Sequence, residues 1–401
     1  MFRELNFSKH NLAVDLFEVK KMFESHLEDG CRYLVRDVLG WAMEIDLREQ
    51  LQASWNERTD SRLGYRNGFR ERTLLTSFGE IGLKIPRDRK GHYKPDYFQR
   101  YKRADKTVDE GIRAMFVRGV STRKVGEVLE ALCGRGVSAG YVSNVCKVLD
   151  ETVKSFENSP IEDDYAFLFL DGLHVRIRYE LHVKPLVLLF AYGIRGDGSR
   201  RFLSFRLVKR ESHKSYLSFL ENLEARGLKG KNLKLIVMDG ALGLWSAIEE
   251  VYPEIPHQLC WAHKLRNVSK YCPKKHQTKC LSEASKIMYA KSPKVAARLF
   301  REWKAKWGSV VPRAVACLER DFEKLIPVFE FPEEIRRMIR TTNVIERCFR
   351  EVRRRLKVMG YFQDNRSCKR IVMSLVEYFN LKWAGRRERI TTIAKHYQNA
   401  A

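Results

Sequence analysis

The stretch Ala166–Arg178, AFLFLDGLHVRIR, decides how this chain is read. It opens as an unbroken apolar run, reaches Asp171, and then alternates polar and apolar residues as far as Arg178. An unbroken run predicts a strand buried on both faces, and the alternation predicts a strand only half buried. A carboxylate ending such a run is costly to bury unless something cationic meets it. The pattern recurs at Leu235–Met238 (LIVM), followed by Asp239 and Gly240. A single Asp-Gly pair after an apolar run also reads as a tight hairpin turn. Two such pairs, each with a partner downstream, point instead to carboxylates that hold metal ions.

The elements around this run set the fold class. Strands are predicted at Leu186–Ile194 and Arg201–Val208, joined by a turn at Gly196-Asp197-Gly198. A helix follows at Ser215–Glu224, with Leu217, Phe219, Leu220 and Leu223 apolar, then a strand at Leu233–Met238. A helix at Leu242–Val251 and a short strand at His257–Trp261 complete the series. Three strands, then helix, strand, helix, strand, is the order of an α/β, ribonuclease H-like core with a mixed sheet. Asp171 and Asp239 are then expected side by side on adjacent central strands. From His263 to Phe331 the chain reads as helical only, with Val295, Ala296, Leu299, Phe300 and Trp303 in a stripe. This is expected to be an insertion. A basic helix at Thr341–Lys357 and another at Lys369–Trp383 follow, the second burying Ile371, Val372, Leu375, Val376 and Phe379.

Upstream, Leu12 to Ser54 reads as two helices broken near Asp29-Gly30, with Leu34, Val38, Trp41 and Ile45 at helical spacing. A small hairpin is predicted from strands Thr73–Ser77 and Glu80–Ile85, turning at Phe78-Gly79. Arg66, Arg70, Arg72, Arg87, Arg89 and Lys90 decorate it, with Tyr65, Phe69 and Tyr93 interleaved. Such a mixture suits phosphate contacts and base stacking, and equally a solvated basic face. Three helices are expected between Lys106 and Phe156. Gly119 closes the first, and Ser121 caps the second, whose first turn carries Arg123 and Lys124. That helix places Val125, Val128, Leu129 and Leu132 in one stripe. Ser138 caps the third, which carries Tyr141, Val142, Val145, Val148 and Leu149 on one face. This is a helix-turn-helix pattern, offering Tyr141, Asn144 and Lys147 to a major groove. The polar stretch Glu157–Asp164 (ENSPIEDD) is the expected joint. The predicted division is 1–59, 60–104, 105–158, 159–262, 263–334, 335–384 and a polar tail, 385–401.

The charge balance names the partner. Lys plus Arg number 75 against 50 Asp plus Glu, a net charge of +25. That excess calls for a polyanion, by default nucleic acid. The longest strongly apolar run, Pro185–Ile194, is too short to span a bilayer, and the first ten residues carry no apolar signal core. The expectation is a soluble, intracellular protein with no membrane partner. Nine dispersed cysteines in such a chain are expected as thiols.

Phosphodiester cleavage needs an activated nucleophile, a stabilised leaving oxygen and neutralised charge, all of which two divalent cations supply. Magnesium takes one or two carboxylates per ion, so three acids from separate elements suffice. Glu346, in TTNVIERCFREVRRR, is the third candidate beside Asp171 and Asp239. Asn343 and Glu346 also have the spacing of a capping box, a purely structural use. Yet Arg347, Arg350, Arg353, Arg354, Arg355 and Lys357 crowd that helix, which repels itself unless a polyanion lies along it. Cys260 and His263 are expected beside the acids, with His263 orienting a carboxylate, a water or a phosphate. Cys272, His276 and Cys280 extend them into a conceivable zinc set, but the spacing C-x2-H-x8-C-x3-H-x3-C matches no common zinc module.

These motifs together resemble the Mutator-type transposases of bacterial insertion sequences. The resemblance is carried by GYRNGFRERTLLTSFGEIGLKIPRDRKG, GVSTRKVGEVLEALCGRGVS, residues 215–268 around VMDGALGLW and CWAHKLRNV, and TTNVIERCFREVRRRLKVMGYF. It covers about Gly64 to Trp383. It implies an Asp-Asp-Glu transposase with a ribonuclease H-like domain and a helical insertion before the Glu. The acids fall on Asp171, Asp239 and Glu346, with Mg²⁺ or Mn²⁺, two ions, as cofactor, and the family's Cys-x-x-His falls on Cys260 and His263. Its implied partners are double-stranded DNA, at inverted-repeat ends and target, and further copies of the chain; the copy-out, circle-forming route is the one associated with the family. A catalytically silent DNA-binding regulator and a nuclease without joining activity are the competing readings.

Overall fold

The computed structural model describes residues 27–95 and 103–384 and falls into two compact units, Met1–Lys147 and Val148–Ala401. The predicted helical segment before Leu27 and the tail after Ala384 lie outside the described residues.

In the first unit, helix α1 (Leu27–Leu51) runs unbroken through Asp29-Gly30, where a break was expected. Its buried face also differs from the predicted one. Met43 and Leu47 are buried, with Val35 and Leu39 packed on the same core, while Leu34, Val38 and Trp41 are exposed. The two stripes lie one to two residues apart on the helix. Strand β2 settles which is used, because its alternating Ile81, Leu83 and Ile85 provide the apolar face that α1 covers. The hairpin is longer than predicted, β1 (Arg66–Thr76) against β2 (Gly79–Asp88), antiparallel and closed by Ser77 and Phe78. Helices α2 (Lys106–Val117), α3 (Thr122–Cys133) and α4 (Ala139–Val145) follow. Asp105, Ser121 and Ser138 cap them, each side chain accepting from a backbone N–H three residues on. Of the α3 stripe, Val125 and Leu129 are buried, and Val128 and Leu132 are exposed.

The predicted third helix is two. The chain breaks at Cys146-Lys147, and helix α5 (Val148–Asn158) belongs to the second unit, so the division falls before the predicted joint. Side chains explain why. Asp150 on α5 receives a bidentate Arg370 at 2.7 and 2.6 Å, and Glu157 receives Lys369 at 2.7 Å.

The second unit is built on a five-stranded mixed sheet. Its strands are β3 (Tyr165–Tyr179), β4 (His182–Arg195), β5 (Arg200–Val208), β6 (Leu235–Met238) and β7 (His257–Leu259). Their order is β5-β4-β3-β6-β7, with β3, β4 and β5 antiparallel and β6 and β7 parallel to β3. Burial along β3 follows the sequence reading: every residue from Tyr165 to Asp171 is buried, and then Leu173, Val175 and Ile177 alternate with exposed His174, Arg176 and Arg178. Helix α6 (His213–Ala225) precedes β6, and α7 (Leu242–Val251) links it to β7.

A helical stretch follows: α8 (Trp261–Lys270), α9 (Lys274–Met288), α10 (Pro293–Trp307), α11 (Pro312–Arg320) and α12 (Glu333–Ile339). Helices α13 (Asn343–Met359) and α14 (Asn365–Ala384) return to the sheet. Phe349 of α13 meets Phe190 of β4 edge-on at 5.2 Å, and Trp383 of α14 packs on Tyr192 and Phe202 at 5.3 and 5.4 Å. Between these two helices, Phe362 bridges to the outer end of β3 through hydrogen bonds with Arg176 and Arg178. No helix among the described residues is long and apolar enough to cross a membrane.

Candidate functional site

The parallel pairing of β3 and β6 aligns Leu170 with Met238. Asp171 and Asp239 are therefore the next residues on neighbouring central strands. Asp171 is 4% exposed. Burial, then the charge of Asp239, push its carboxyl well above the usual range. Burial likewise raises Asp239, against a hydrogen bond from the backbone N–H of Ala241. A buried acid and a half-buried one with raised pKa values, side by side, form a site that lacks positive charge.

Glu346 comes from the first turn of α13. Thr342, not Asn343, is the helix N-cap, so Glu346 is out of capping-box position. Its carboxylate instead faces His263 Nε2 at 3.5 Å, Arg266 at 3.3 Å and Arg353 at 3.2 Å. Burial opposes its ionisation, yet Arg353, Arg266 and His263 outweigh it and hold the pKa below the usual value.

Thr342, which sequence reasoning passed over, joins the two halves of the site. Its hydroxyl donates to Asp171 Oδ2 at 2.7 Å and lies 3.5 Å from Cys260 Sγ and 3.4 Å from His263 Nδ1. Its backbone N–H donates to the same sulfur at 3.3 Å. Cys260 caps α8 directly after β7, and its own N–H donates to Met238 O at 2.7 Å, next to Asp239. Burial raises the Cys260 thiol and lowers the His263 imidazole. Cys260 is thus a neutral acceptor beneath Thr342, and the Cys-x-x-His spacing puts His263 one turn further along α8 at Glu346. Arg266, on the same face of α8, was also missed; the sequence marks it only by its i+3 spacing from His263.

The wider Cys/His set does not converge. Cys280 is buried beside Cys272, and burial followed by that neighbour raises its thiol to about 12. His276 packs on Trp307 at 6.0 Å, on helices away from Cys260. Among the described residues no group of three or more His, Cys, Asp or Glu side chains surrounds a single ion position.

The predicted DNA-contacting residues have different fates. On α13, Arg347, Arg350 and Arg354 are exposed, Arg353 pairs with Glu346, and both Arg354 and Arg355 reach Glu351. In the first unit, Arg70, Arg72 and Tyr141 line a groove of about 890 Å³ with Arg103 and Arg135. Burial, then Arg70, lower the pKa of Arg72. The Tyr141 hydroxyl donates to Asp109 at 2.9 Å, and burial followed by that bond raises it to about 12. Arg123, Lys124, Asn144 and Lys147 are exposed. Arg66 is committed internally, to Glu44 at 2.6 Å and over the Trp55 ring.

Known proteins are similar to this chain along most of its length. A transposase for the insertion sequence element ISRM5 of Rhizobium meliloti (strain 1021) is 37% identical over 355 residues, 88% of this chain and 89% of its own length. The transposase for IS256 in transposon Tn4001 of Staphylococcus aureus is 33% identical over 91% of this chain and 94% of that one. Among solved structures, the Drosophila P element transposase strand transfer complex aligns with 78% of this chain at 11% identity, with a TM-score of 0.30, too low to argue from. The family model described as "Transposase, Mutator family" matches residues 8–385, and the chain belongs to that family.

Proposed function

We propose that this protein is an Asp-Asp-Glu transposase with a ribonuclease H-like core that cuts and joins DNA strands at the inverted-repeat ends of an insertion sequence. The observation that carries this reading is the meeting of Asp171 and Asp239 on adjacent central strands with Glu346 on a basic helix. The strand order β5-β4-β3-β6-β7 supports the ribonuclease H-like assignment.

The donor set fits Mg²⁺ or Mn²⁺. All three side chains offer hard oxygen, two are held in surroundings short of positive charge, and magnesium needs only one or two carboxylates per ion. Asp171, Asp239 and Glu346 would hold two such ions by pairs, leaving the remaining positions to water and phosphate oxygens. Bound there, the cations would supply nucleophile activation and stabilisation of the leaving oxygen. The chain's own contribution is positioning. The Thr342 hydroxyl favours the ionised form of Asp171 against burial and fixes one rotamer, while Arg353, Arg266 and His263 keep Glu346 charged. Exposed Arg347, Arg350 and Arg354 on α13 offer contacts to backbone phosphates, and the Arg70–Arg72 groove of the first unit offers a second anionic site. The protein acts in the bacterial cytoplasm at the nucleoid, as an oligomer on paired ends.

The test uses duplex DNA carrying the element's end with Mg²⁺ or Mn²⁺. Asp171→Asn, Asp239→Asn and Glu346→Gln are each expected to abolish cleavage while DNA binding survives. Cleavage retained in any one of them removes that residue from the site. A wild-type protein that binds end DNA without turnover in either metal would favour the silent regulator, and cleavage without strand transfer would favour the nuclease.

A further inference from the structure

Strands β3 and β4 outrun the sheet that holds them. The pairing of β3 with β6 ends at Leu170–Met238, and that of β4 with β5 ends at Val187–Val208. From Val175–Leu186 to Tyr179–His182 the two strands pair, among the described residues, only with each other, apart from one bridge between Ile177 and Phe362. They form a ribbon that closes in a tight turn at Glu180-Leu181. A two-stranded ribbon is marginal by itself in water, but this one is braced at its root. Phe362 is buried and exchanges backbone hydrogen bonds of 2.9 Å with Arg176 and Arg178. The Tyr179 hydroxyl donates to Asn365 Oδ1, at the start of α14, at 3.0 Å.

The tip carries features that folding does not call for. Leu181 is 87% exposed, the most open of the large apolar side chains among the described residues. Glu180 beside it holds φ at 52°, in the left-handed region that a glycine or asparagine would enter more easily. Arg176, Arg178, His182 and Lys184 are exposed along the ribbon, where Glu180 is the single acid. Among the described residues none of these four pairs with a carboxylate. Arg178 Nε donates to the Glu180 carbonyl at 3.0 Å, and Lys184 lies 5.7 Å from the centre of the Tyr179 ring. A further strand is a poor occupant, because Lys184 and Pro185 on one edge and the arginines on the other obstruct strand addition. A DNA groove is a good one. It admits a two-stranded ribbon, its phosphates suit the unpaired cations, and leucine is among the apolar wedges that enter between base steps from the minor groove.

We propose that the β3–β4 ribbon enters the minor groove of the DNA, with Leu181 wedged between stacked base pairs and Arg176, Arg178 and Lys184 on the flanking phosphates. The inference rests on the proposed function for the identity of the DNA, and adds a place where that DNA is unstacked. From Asp171 to Tyr179 strand β3 rises about 27 Å, at roughly 3.3 Å per residue. That span equals about eight base pairs at roughly 3.4 Å each, so the opened step falls within about eight base pairs of the cut.

The experiment places 2-aminopurine at successive positions of a duplex carrying the element's end. Its fluorescence, which rises on unstacking, is read as full-length protein is added without divalent metal, so that no strand is cut. Wild type is expected to brighten one or two adjacent positions within that distance. Leu181→Ala loses the rise and Leu181→Phe keeps it, and both melt with wild type because the side chain stands in water. Arg176→Gln and Lys184→Gln together lower the slope of binding against salt by about 2, one for each phosphate contact. A rise unchanged in Leu181→Ala, no rise at any position with the duplex bound, or an unchanged salt slope would overturn this inference and leave the three-acid site standing. A Leu181→Ala protein that sediments as a smaller species than wild type without DNA would assign the tip to a contact between copies and overturn it as well. A wild-type protein that does not bind the duplex would overturn both this inference and the proposed function.

Discussion

Thr342→Val tests whether the strap between α13 and the sheet controls the ionisation of Asp171. Valine keeps the shape and the backbone N–H bond to Cys260 Sγ, and deletes only the hydroxyl that donates to Asp171 Oδ2 at 2.7 Å. A hydrogen bond to a charged group contributes about 1.5–3 kcal/mol, and neither Thr342 nor Asp171 has solvent to replace it. The hydroxyl favours the carboxylate over the acid, so its loss raises a pKa that burial has already raised. A metal ligand must be deprotonated. The loss therefore appears as weaker metal dependence, about 10- to 150-fold at roughly 1.4 kcal/mol per decade, and as a pH–rate profile displaced to higher pH. The assay is cleavage of end-labelled DNA against Mg²⁺ concentration at several pH values, with Thr342→Ser as the control that restores the hydroxyl. A Thr342→Val protein with the wild-type metal dependence and pH profile would refute the reasoning. A serine variant as impaired as valine would show that the methyl group matters and the hydroxyl does not.

Two further outcomes follow from buried charge. Asp171 has a raised folded-state pKa, so its stability contribution is intact below the unfolded carboxylate value near ~4 and is lost as pH rises through the folded value. Metal-free Asp171→Asn is therefore expected to melt above wild type, by a margin that grows with pH over that interval; a lower melting temperature at pH 8 counts against it. Arg370→Ala breaks the bidentate pair with Asp150 that ties α5 to α14, at a cost of about 3–5 kcal/mol for a buried pair, nearer the lower figure because Asp150 is partly open. Arg370 lowers the Asp150 pKa first through its hydrogen bond, so this contribution exists above the unfolded Asp value and vanishes as pH falls below it. Urea midpoints of variant and wild type should converge at acid pH, and a constant gap would exclude the ion pair as the cause.

The elements with strong local patterns were legible from the sequence. The uninterrupted run to Asp171 and the alternation beyond it appear residue by residue in the burial of β3, and the order of strands and helices follows from it. Where a short-range pattern admits two solutions, tertiary packing chooses. Helix α1 has two apolar stripes one to two residues apart, and only the facing strand β2 selects Val35, Leu39, Met43 and Leu47. The break at Cys146-Lys147 was hidden because apolar spacing continues from Val145 to Val148, while the ion pairs that claim α5 come from Lys369 and Arg370, far along the chain. Thr342 was missed for the same reason. A threonine before a helix reads as a cap until its long-range hydrogen bond to Asp171 is known.

The basic helix α13 also changes meaning once its ion pairs are known. Its cations are not all waiting for a polyanion, since Arg353 serves Glu346, and Arg354 and Arg355 serve Glu351. The question is whether Arg353 and Arg266 hold Glu346 too firmly for it to bind a metal. Their side chains are 51% and 55% exposed, at 3.2 and 3.3 Å. Pairs that open to water contribute about 0–1 kcal/mol each, and salt screens them further. Under the proposed function, a divalent cation shared with Asp171 would outweigh two such contacts, and phosphates would give both guanidinium groups an alternative partner. The arrangement keeps Glu346 charged through pairs weak enough for a cation, were one to bind as proposed, to replace them.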